Sequence, residues 1–131
     1  NACKEFIEGV MNFTSIPIRY VWGDCADPVM INEIRNVIKE LHKVGVIRVL
    51  DSKKWTIKKR IDTKKLMIAK GHWKCLSSCG NVIDSTATQV WNSKEGHEDE
   101  RLDDGTADID TADAEEYSWS GFLEKLIKYC E

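Results

Sequence analysis

Two short runs of β-branched and aromatic residues, separated by one strongly amphipathic helix pattern, constrain the fold of this chain most. Residues 16–22 and 46–50 are predicted to be strands. Between them, Asp27 and Pro28 form a helix start signal, because aspartate caps helix N-termini and proline suits the first helical position. Gly45 ends the pattern. The alternation of strand and helix predicts an α/β fold. The apolar positions of this helix recur at helical spacing: Met30, Ile34, Val37, Ile38 and Leu41.

The rest of the chain is predicted to be mainly helical. Helices are expected over residues 3–13, 55–70 and 82–92, and again from Ile109 to the end in one or two pieces. The 55–70 helix is expected to pack through Ile57, Ile61 and Ile68. Residues 72–76 are expected to form a short strand or bend, and 93–108 a long polar loop of functional or mobile character.

Length and composition indicate one soluble domain spanning residues 1–131. The chain has 131 residues, a formal net charge of −3 and five cysteines. An odd number of cysteines, with no visible signal peptide, favours free thiols in a cytosolic protein. No apolar run is long enough to span a bilayer, so no membrane partner is expected.

The charges are segregated along the sequence. Residues 53–74 hold nine Lys/Arg against one acid, Asp62, whereas residues 94–116 hold eleven Asp/Glu against Lys94 and Arg101. A nuclease needs carboxylates to hold divalent cations at the scissile phosphate and basic side chains to hold the DNA backbone. The alternative is a solubilising loop beside a solvated helix face. The DNA-binding candidates are Lys53, Lys54, Lys58, Lys59, Arg60, Lys64 and Lys65.

Asp24 is the first candidate metal ligand. It follows the first predicted strand, and ligands of open α/β sheets bind outside the carboxyl ends of strands. A turn or cap role is an equally good interpretation of Asp24. Asp27 is better explained as a helix cap.

Asp110 and Asp113 are the second pair of candidates. Three residues apart, they share one helix face with Tyr117, and a hard cation such as Mg²⁺ or Mn²⁺ would relieve their repulsion. The helix dipole alone explains Asp108 and Asp110, but explains Asp113 less well. A calcium loop around Gly105 is disfavoured because its acids do not have EF-hand spacing.

A zinc site is the remaining metal hypothesis. His72, Cys75 and Cys79 are close in sequence, but they lack a partner pair, and only His97 or a distant cysteine could complete four ligands. The sequence therefore disfavours zinc.

Three motifs in order resemble the nuclease domain of large terminase subunits from tailed bacteriophages. Residues 24–28, Asp-Cys-Ala-Asp-Pro, resemble its D-S-A-E-P element. The following helix, the 53–54 lysine pair and the Ile61 region look like the middle of that domain. Residues 103–117, which end in Asp113-Ala114-Glu115-Glu116-Tyr117, are similar to its terminal D-A-x-x-Y element.

The resemblance implies a three-layer RNase H-like fold and a two-metal, Mg²⁺- or Mn²⁺-dependent endonuclease that cuts concatemeric DNA during genome packaging. Asp24 matches the family's second catalytic acid and Asp113 its third, with Asp110 beside it. The implied partners are double-stranded DNA, the small terminase subunit and the portal, in the bacterial host cytoplasm.

Two departures from the family pattern make the expected domain incomplete. Neither the opening strand with its aspartate nor a Walker-type glycine loop of the ATPase motor is found in the sequence. The chain is therefore interpreted as the C-terminal part of a terminase nuclease domain, lacking the N-terminal strands and expected to cut DNA poorly or not at all by itself. The alternatives are a non-catalytic DNA-binding module and a protein-interaction module that uses its tryptophans.

Overall fold

A computed structural model describes all 131 residues, which divide into two compact units, Asn1–Lys53 and Lys54–Glu131. The chain is mixed α/β, with six helices and one two-stranded parallel sheet. The predicted α/β class is thereby confirmed. One domain over residues 1–131 stays a prediction.

The first unit is a β–α–β arrangement preceded by a helix. It comprises α1 (Ala2–Phe13), β1 (Tyr20–Gly23), α2 (Pro28–Glu40) and β2 (Arg48–Asp51). The strands run parallel, with Tyr20 opposite Arg48 and Gly23 opposite Asp51. Both strands are shorter than the predicted runs and lie further along the chain, so Pro17, which cannot donate to a ladder, stays outside the sheet.

Helix α2 begins where its start signal predicts. The Asp27 carboxylate accepts a hydrogen bond from the Met30 backbone N–H at 2.9 Å, and Pro28 occupies the first turn. The helix ends at Glu40, before a turn in which His42 and Gly45 have positive φ. The core of this unit consists of Ile7, Val37, Ile38 and Ile47.

The second unit is helical. It comprises α3 (Ile57–Ala69), α4 (Gly80–Thr88), α5 (Ile109–Ser120) and α6 (Leu123–Cys130). Helix α3 packs on α6, and α4 packs on α5. The 72–76 segment forms no strand. Residues 93–108 have no regular structure, as predicted, but an antiparallel bridge between Trp91 and Arg101 joins the two ends of the 92–100 segment.

The buried face of α3 differs from the predicted one. Its fully buried residues are Arg60, Thr63, Lys64 and Met67, while Ile68 is 44% exposed. The apolar pattern through Ile57, Ile61 and Ile68 was therefore the wrong guide to the inward face. The reason is that α5 supplies the carboxylates Asp113, Glu115 and Glu116 to Arg60 and Lys64, so the face of α3 with two cations can be buried.

Candidate functional site

Asp24 lies in the first unit, directly after the carboxyl end of β1. Its carboxylate accepts a hydrogen bond from the Ala26 backbone N–H at 3.0 Å, and its backbone carbonyl accepts one from Asp27 at 2.9 Å. The next peptide N–H, from Cys25, donates to the hydroxyl of buried Ser52 at the end of β2. The turn is thus tied to the neighbouring strand, and Asp24 remains exposed at its surface.

The close approach of α2 to this turn requires a glycine at the end of β1. A Cβ added to Gly23 would lie 2.5 Å from Cγ1 of Ile31, which is itself buried on α2. The absence of a side chain at Gly23 therefore lets the start of α2 pack against the strand end that carries Asp24.

Asp113 lies in the second unit and is engaged by two arginines. One carboxylate oxygen accepts hydrogen bonds from Arg60 at 3.1 Å and from Arg101 at 2.9 Å. Asp110, in the first turn of the same helix, is exposed. The N-cap of α5 is Asp108, which accepts from the backbone N–H and the hydroxyl of Thr111, so the helix-terminus explanation is confirmed for Asp108.

A fully buried carboxylate, Glu116, lies at the centre of this network. Arg101 donates to both of its oxygens, and Arg60 approaches one of them at 3.4 Å. Burial raises the pKa of Glu116, whereas Arg101 and Arg60 act in the opposite direction. The arginine partners therefore offset part of the penalty that burial places on the charged form of Glu116.

A second buried pair extends the network along α3 and α5. Lys64 donates to Glu115 at 2.8 Å and to the Thr86 hydroxyl at 2.9 Å. The indole N–H groups of Trp73 and Trp119 both donate to the other oxygen of Glu115, each at 2.8 Å. Three cations and three carboxylates thus balance one another, which is the arrangement that a buried ionic cluster requires.

The sequence analysis gave no site role to Arg101, Glu115 or Glu116, and it considered Trp73 and Trp119 only for a protein-interaction surface. Glu116 follows Asp113 by three residues and so shares its helix face. Arg101 is one of only two cations within the acidic 94–116 segment. These two features could be seen in the sequence, but neither shows which distant residue Glu116 or Arg101 pairs with.

The seven DNA-binding candidates fall into two groups. Arg60 and Lys64 are buried in the ionic cluster, so their charges do not face solvent. Lys58 pairs with Asp62 one turn along the helix, and the Lys59 ammonium lies 4.6 Å from the centre of the Trp55 ring. The exposed candidates are Lys53, Lys54, Lys58, Lys59 and Lys65.

The carboxylates do not fit a metal centre as they are arranged. No group of three or more His, Cys, Asp or Glu side chains could hold an ion, and one of the two Asp113 carboxylate oxygens already faces two guanidinium groups. The His72, Cys75 and Cys79 set likewise forms no such group, and partial burial and the neighbouring Cys79 raise the pKa of the Cys75 thiol. All five cysteines are free, as expected.

Comparison of the chain with protein-family models, curated protein sequences and solved structures gives no match. None of the six helices has the length and apolar character needed to cross a membrane. The terminase resemblance therefore rests on the motifs of the sequence alone.

Proposed function

We propose that this chain is the C-terminal part of a terminase-type nuclease domain with an RNase H-like fold, and that it binds double-stranded DNA. The observation that carries the proposal is the position of Asp24 directly after β1 in the parallel β1–α2–β2 unit. An exposed carboxylate at the carboxyl end of a strand is in the region where open α/β sheets bind their ligands. It is also the position that the resemblance gives to the family's second acid.

The exposed lysines of the second unit support the DNA-binding part of the proposal. Lys54, Lys58, Lys59 and Lys65 lie at the surface, on or just before α3, and Trp55 lies beside Lys59. Mobile ammonium groups attract DNA phosphates without reading sequence. We therefore assign non-specific backbone binding to this set and leave the buried Arg60 and Lys64 out of it.

The carboxylates of this chain form no ion-holding group, so no metal-dependent step is assigned to the chain by itself. The endonuclease activity and the Mg²⁺ or Mn²⁺ requirement are proposed for the complete nuclease domain. In that domain Asp24, Asp113 and Asp110 would be the acids of this segment.

The DNA-binding proposal is tested by fluorescence anisotropy with a labelled 30-base-pair duplex over a range of salt concentrations. Replacing Lys54, Lys58, Lys59 and Lys65 with Gln should reduce the slope of log affinity against log salt by about 0.9 for each phosphate that is no longer neutralised. A matched variant removes four other exposed lysines: Lys39, Lys94, Lys125 and Lys128. Equal slopes for the two variants would contradict the assigned surface.

A second candidate function, a non-catalytic DNA-binding module, is favoured by the pairing of Asp113 with two arginines. The two candidates are separated by a nicking assay on supercoiled plasmid with Mn²⁺. Cleavage that Asp24→Asn abolishes, in a variant that still binds duplex DNA, would support the nuclease. DNA binding without cleavage, even after the upstream coding segment is added, would support the module.

A further inference from the structure

A cavity of about 560 Å³ in the second unit is lined by basic and acidic side chains together. Lys54 and Lys58, two of the lysines assigned to duplex binding, line it, and so do Asp99 and Glu100. All four residues are exposed. The surface assigned to DNA phosphates therefore has two carboxylates beside it, and non-specific backbone binding does not require them.

The remaining charges at this cavity have partners of their own. Arg60 and Asp113, which also line it, are paired at 3.1 Å. Lys58 is paired with Asp62, but these two side chains are 72% and 54% exposed, and an ion pair in that setting is weak. A DNA phosphate can therefore replace Asp62 at the Lys58 ammonium.

The loop that carries Asp99 and Glu100 is held at both of its ends. We call residues 94–100 the acidic loop, because they hold four carboxylates against one lysine. The backbone N–H of Asn92 donates to the carbonyl of Glu100 at 2.9 Å, which closes the loop. The next residue, Arg101, is buried in the ionic cluster. The fold therefore keeps the carboxylates of the acidic loop near the two lysines.

We propose that the acidic loop is a built-in competitor of DNA, which weakens duplex binding at Lys54 and Lys58. Residues that line one cavity of this size lie on the order of 10 Å apart, comparable to the Debye length of about 8 Å at physiological ionic strength. A phosphate that approaches the two lysines is consequently repelled by Asp99 and Glu100, and it also replaces the attraction that they exert. This role rests on the proposed function and adds regulation to it, because duplex affinity should rise whenever the acidic loop is neutralised.

The first test measures affinity for the labelled duplex at about 50 mM and about 200 mM salt. The variant Asp99→Asn with Glu100→Gln should bind roughly threefold more tightly at the lower salt concentration. The gain should shrink at the higher concentration, because salt screens the repulsion.

The matched control for this test is Glu95→Gln with Asp103→Asn. It makes the same change in net charge at two exposed positions of the acidic segment that do not line the cavity. Its duplex affinity should stay close to that of the wild type. An equal gain in both variants would overturn the proposal, because it would show that net charge is responsible.

The second test asks whether the gain acts through the two lysines. In a protein that already carries Lys54→Gln and Lys58→Gln, the same replacement of Asp99 and Glu100 should give a smaller gain in affinity. The other exposed lysines of the surface keep duplex binding measurable in this background. An undiminished gain would overturn the assigned competition.

The third test needs no DNA. A water-soluble carbodiimide activates a carboxylate, which then forms an amide with a lysine amine that reaches it. Mass spectrometry should find amides that join the acidic loop to Lys54 or Lys58, and added duplex should reduce them. Lys70, which is exposed and does not line the cavity, is the control and should not be joined to the loop. The absence of amides to Lys54 and Lys58 would overturn the proposal.

These outcomes separate the role of the acidic loop from the proposed function. Duplex binding that is unchanged by Asp99→Asn with Glu100→Gln would overturn the competition and leave the proposed function standing. No salt-dependent duplex binding, by the wild type or by this variant, would overturn the proposed function and the competition with it. Duplex binding by the variant alone would support both.

Discussion

Arg101 and Glu116 are the residues on which the second unit most depends, because both are buried and each is the main charge partner of the other. Replacing one partner leaves the other as an uncompensated charge in a low-dielectric interior. Arg60 also contacts Glu116, but it cannot substitute for Arg101 because its guanidinium is shared with Asp113.

We expect Arg101→Leu to lower the free energy of unfolding by about 3–5 kcal/mol at pH 7. Arg101 lowers the pKa of Glu116, so its removal raises that pKa further. A carboxyl group with a raised folded-state pKa contributes stability below its unfolded pKa and loses it as pH rises through the folded pKa. The loss should therefore be smaller at pH 4 than at pH 7, as measured by urea unfolding.

The control for this prediction is the double variant Arg101→Leu with Glu116→Leu. Replacing both members of a buried pair with apolar residues is often close to neutral. The double variant should be more stable than Arg101→Leu alone. A double variant whose loss equals the sum of the two single losses would show that the pair is not coupled.

Asp108 provides a pH-dependent prediction at the start of α5. The hydroxyl of Thr111 and then its backbone N–H lower the pKa of Asp108. Stability from a lowered pKa is present above the unfolded value of about 3.9 and is lost as pH falls through the folded pKa. Thr111→Val should raise the folded-state pKa of Asp108 towards its unfolded value. The pH range between the two pKa values, over which Asp108 loses its contribution to stability, should then become narrower.

The measurement is a ¹³C-detected titration of the aspartate carboxyl groups. Asp104 is an internal control, because its pKa is lowered by Thr106 and not by Thr111. An unchanged Asp108 pKa in Thr111→Val, or an equal shift at Asp104, would contradict the assigned cause.

At the scale of elements, the packing of α2 against the end of β1 depends on Gly23, and Gly9 in α1 provides the contrasting position. Gly23 has no space for a Cβ, whereas Gly9 in α1 has no atom within 4 Å of one. Both belong to the first unit, so they can be compared in the same unfolding experiment.

Gly23→Ala should destabilise the protein by about 1–3 kcal/mol, because the new methyl group must displace Ile31 or the strand. Gly9→Ala should stabilise it by about 0.4–1 kcal/mol through reduced entropy of the unfolded chain. Thermal and urea unfolding measure both. Equal effects from the two variants would argue against a close contact between α2 and β1.

Across the whole molecule, the net charge of −3 is the sum over segments of opposite charge, the basic residues 53–74 and the acidic residues 94–116 among them. We expect the protein to be retained both by heparin and by an anion exchanger near pH 7.5, because each resin interacts with a different segment. The Gln variant of Lys54, Lys58, Lys59 and Lys65 should lose heparin retention while binding the anion exchanger more strongly.

The matched acidic variant replaces Glu95, Glu98, Asp99 and Asp103, which are all exposed, with the corresponding amides. It should show the opposite pattern, eluting early from the anion exchanger while keeping its heparin retention. Loss of retention on both resins by either variant would mean that the two segments do not act separately.

The sequence alone determined the features that depend on local chemistry. Asp27 and Pro28 start α2, and apolar spacing predicts Val37 and Ile38 in the first core. Capping, turn conformation and helix periodicity act over a few residues, so they can be recognised without knowledge of the fold.

Only the tertiary structure decided which charges of the second unit are buried. In sequence, Lys64 and Arg60 are indistinguishable from the exposed Lys58 and Lys65, and Arg101 lies isolated among acids. Whether these three cationic side chains are buried depends on hydrogen bonds to Glu115, Glu116 and Asp113, which span 12 to 53 residues of the sequence. A charged side chain can be buried only where an opposite charge pairs with it. Such a pair joins residues that are far apart in sequence, so the fold decides it and no local pattern does.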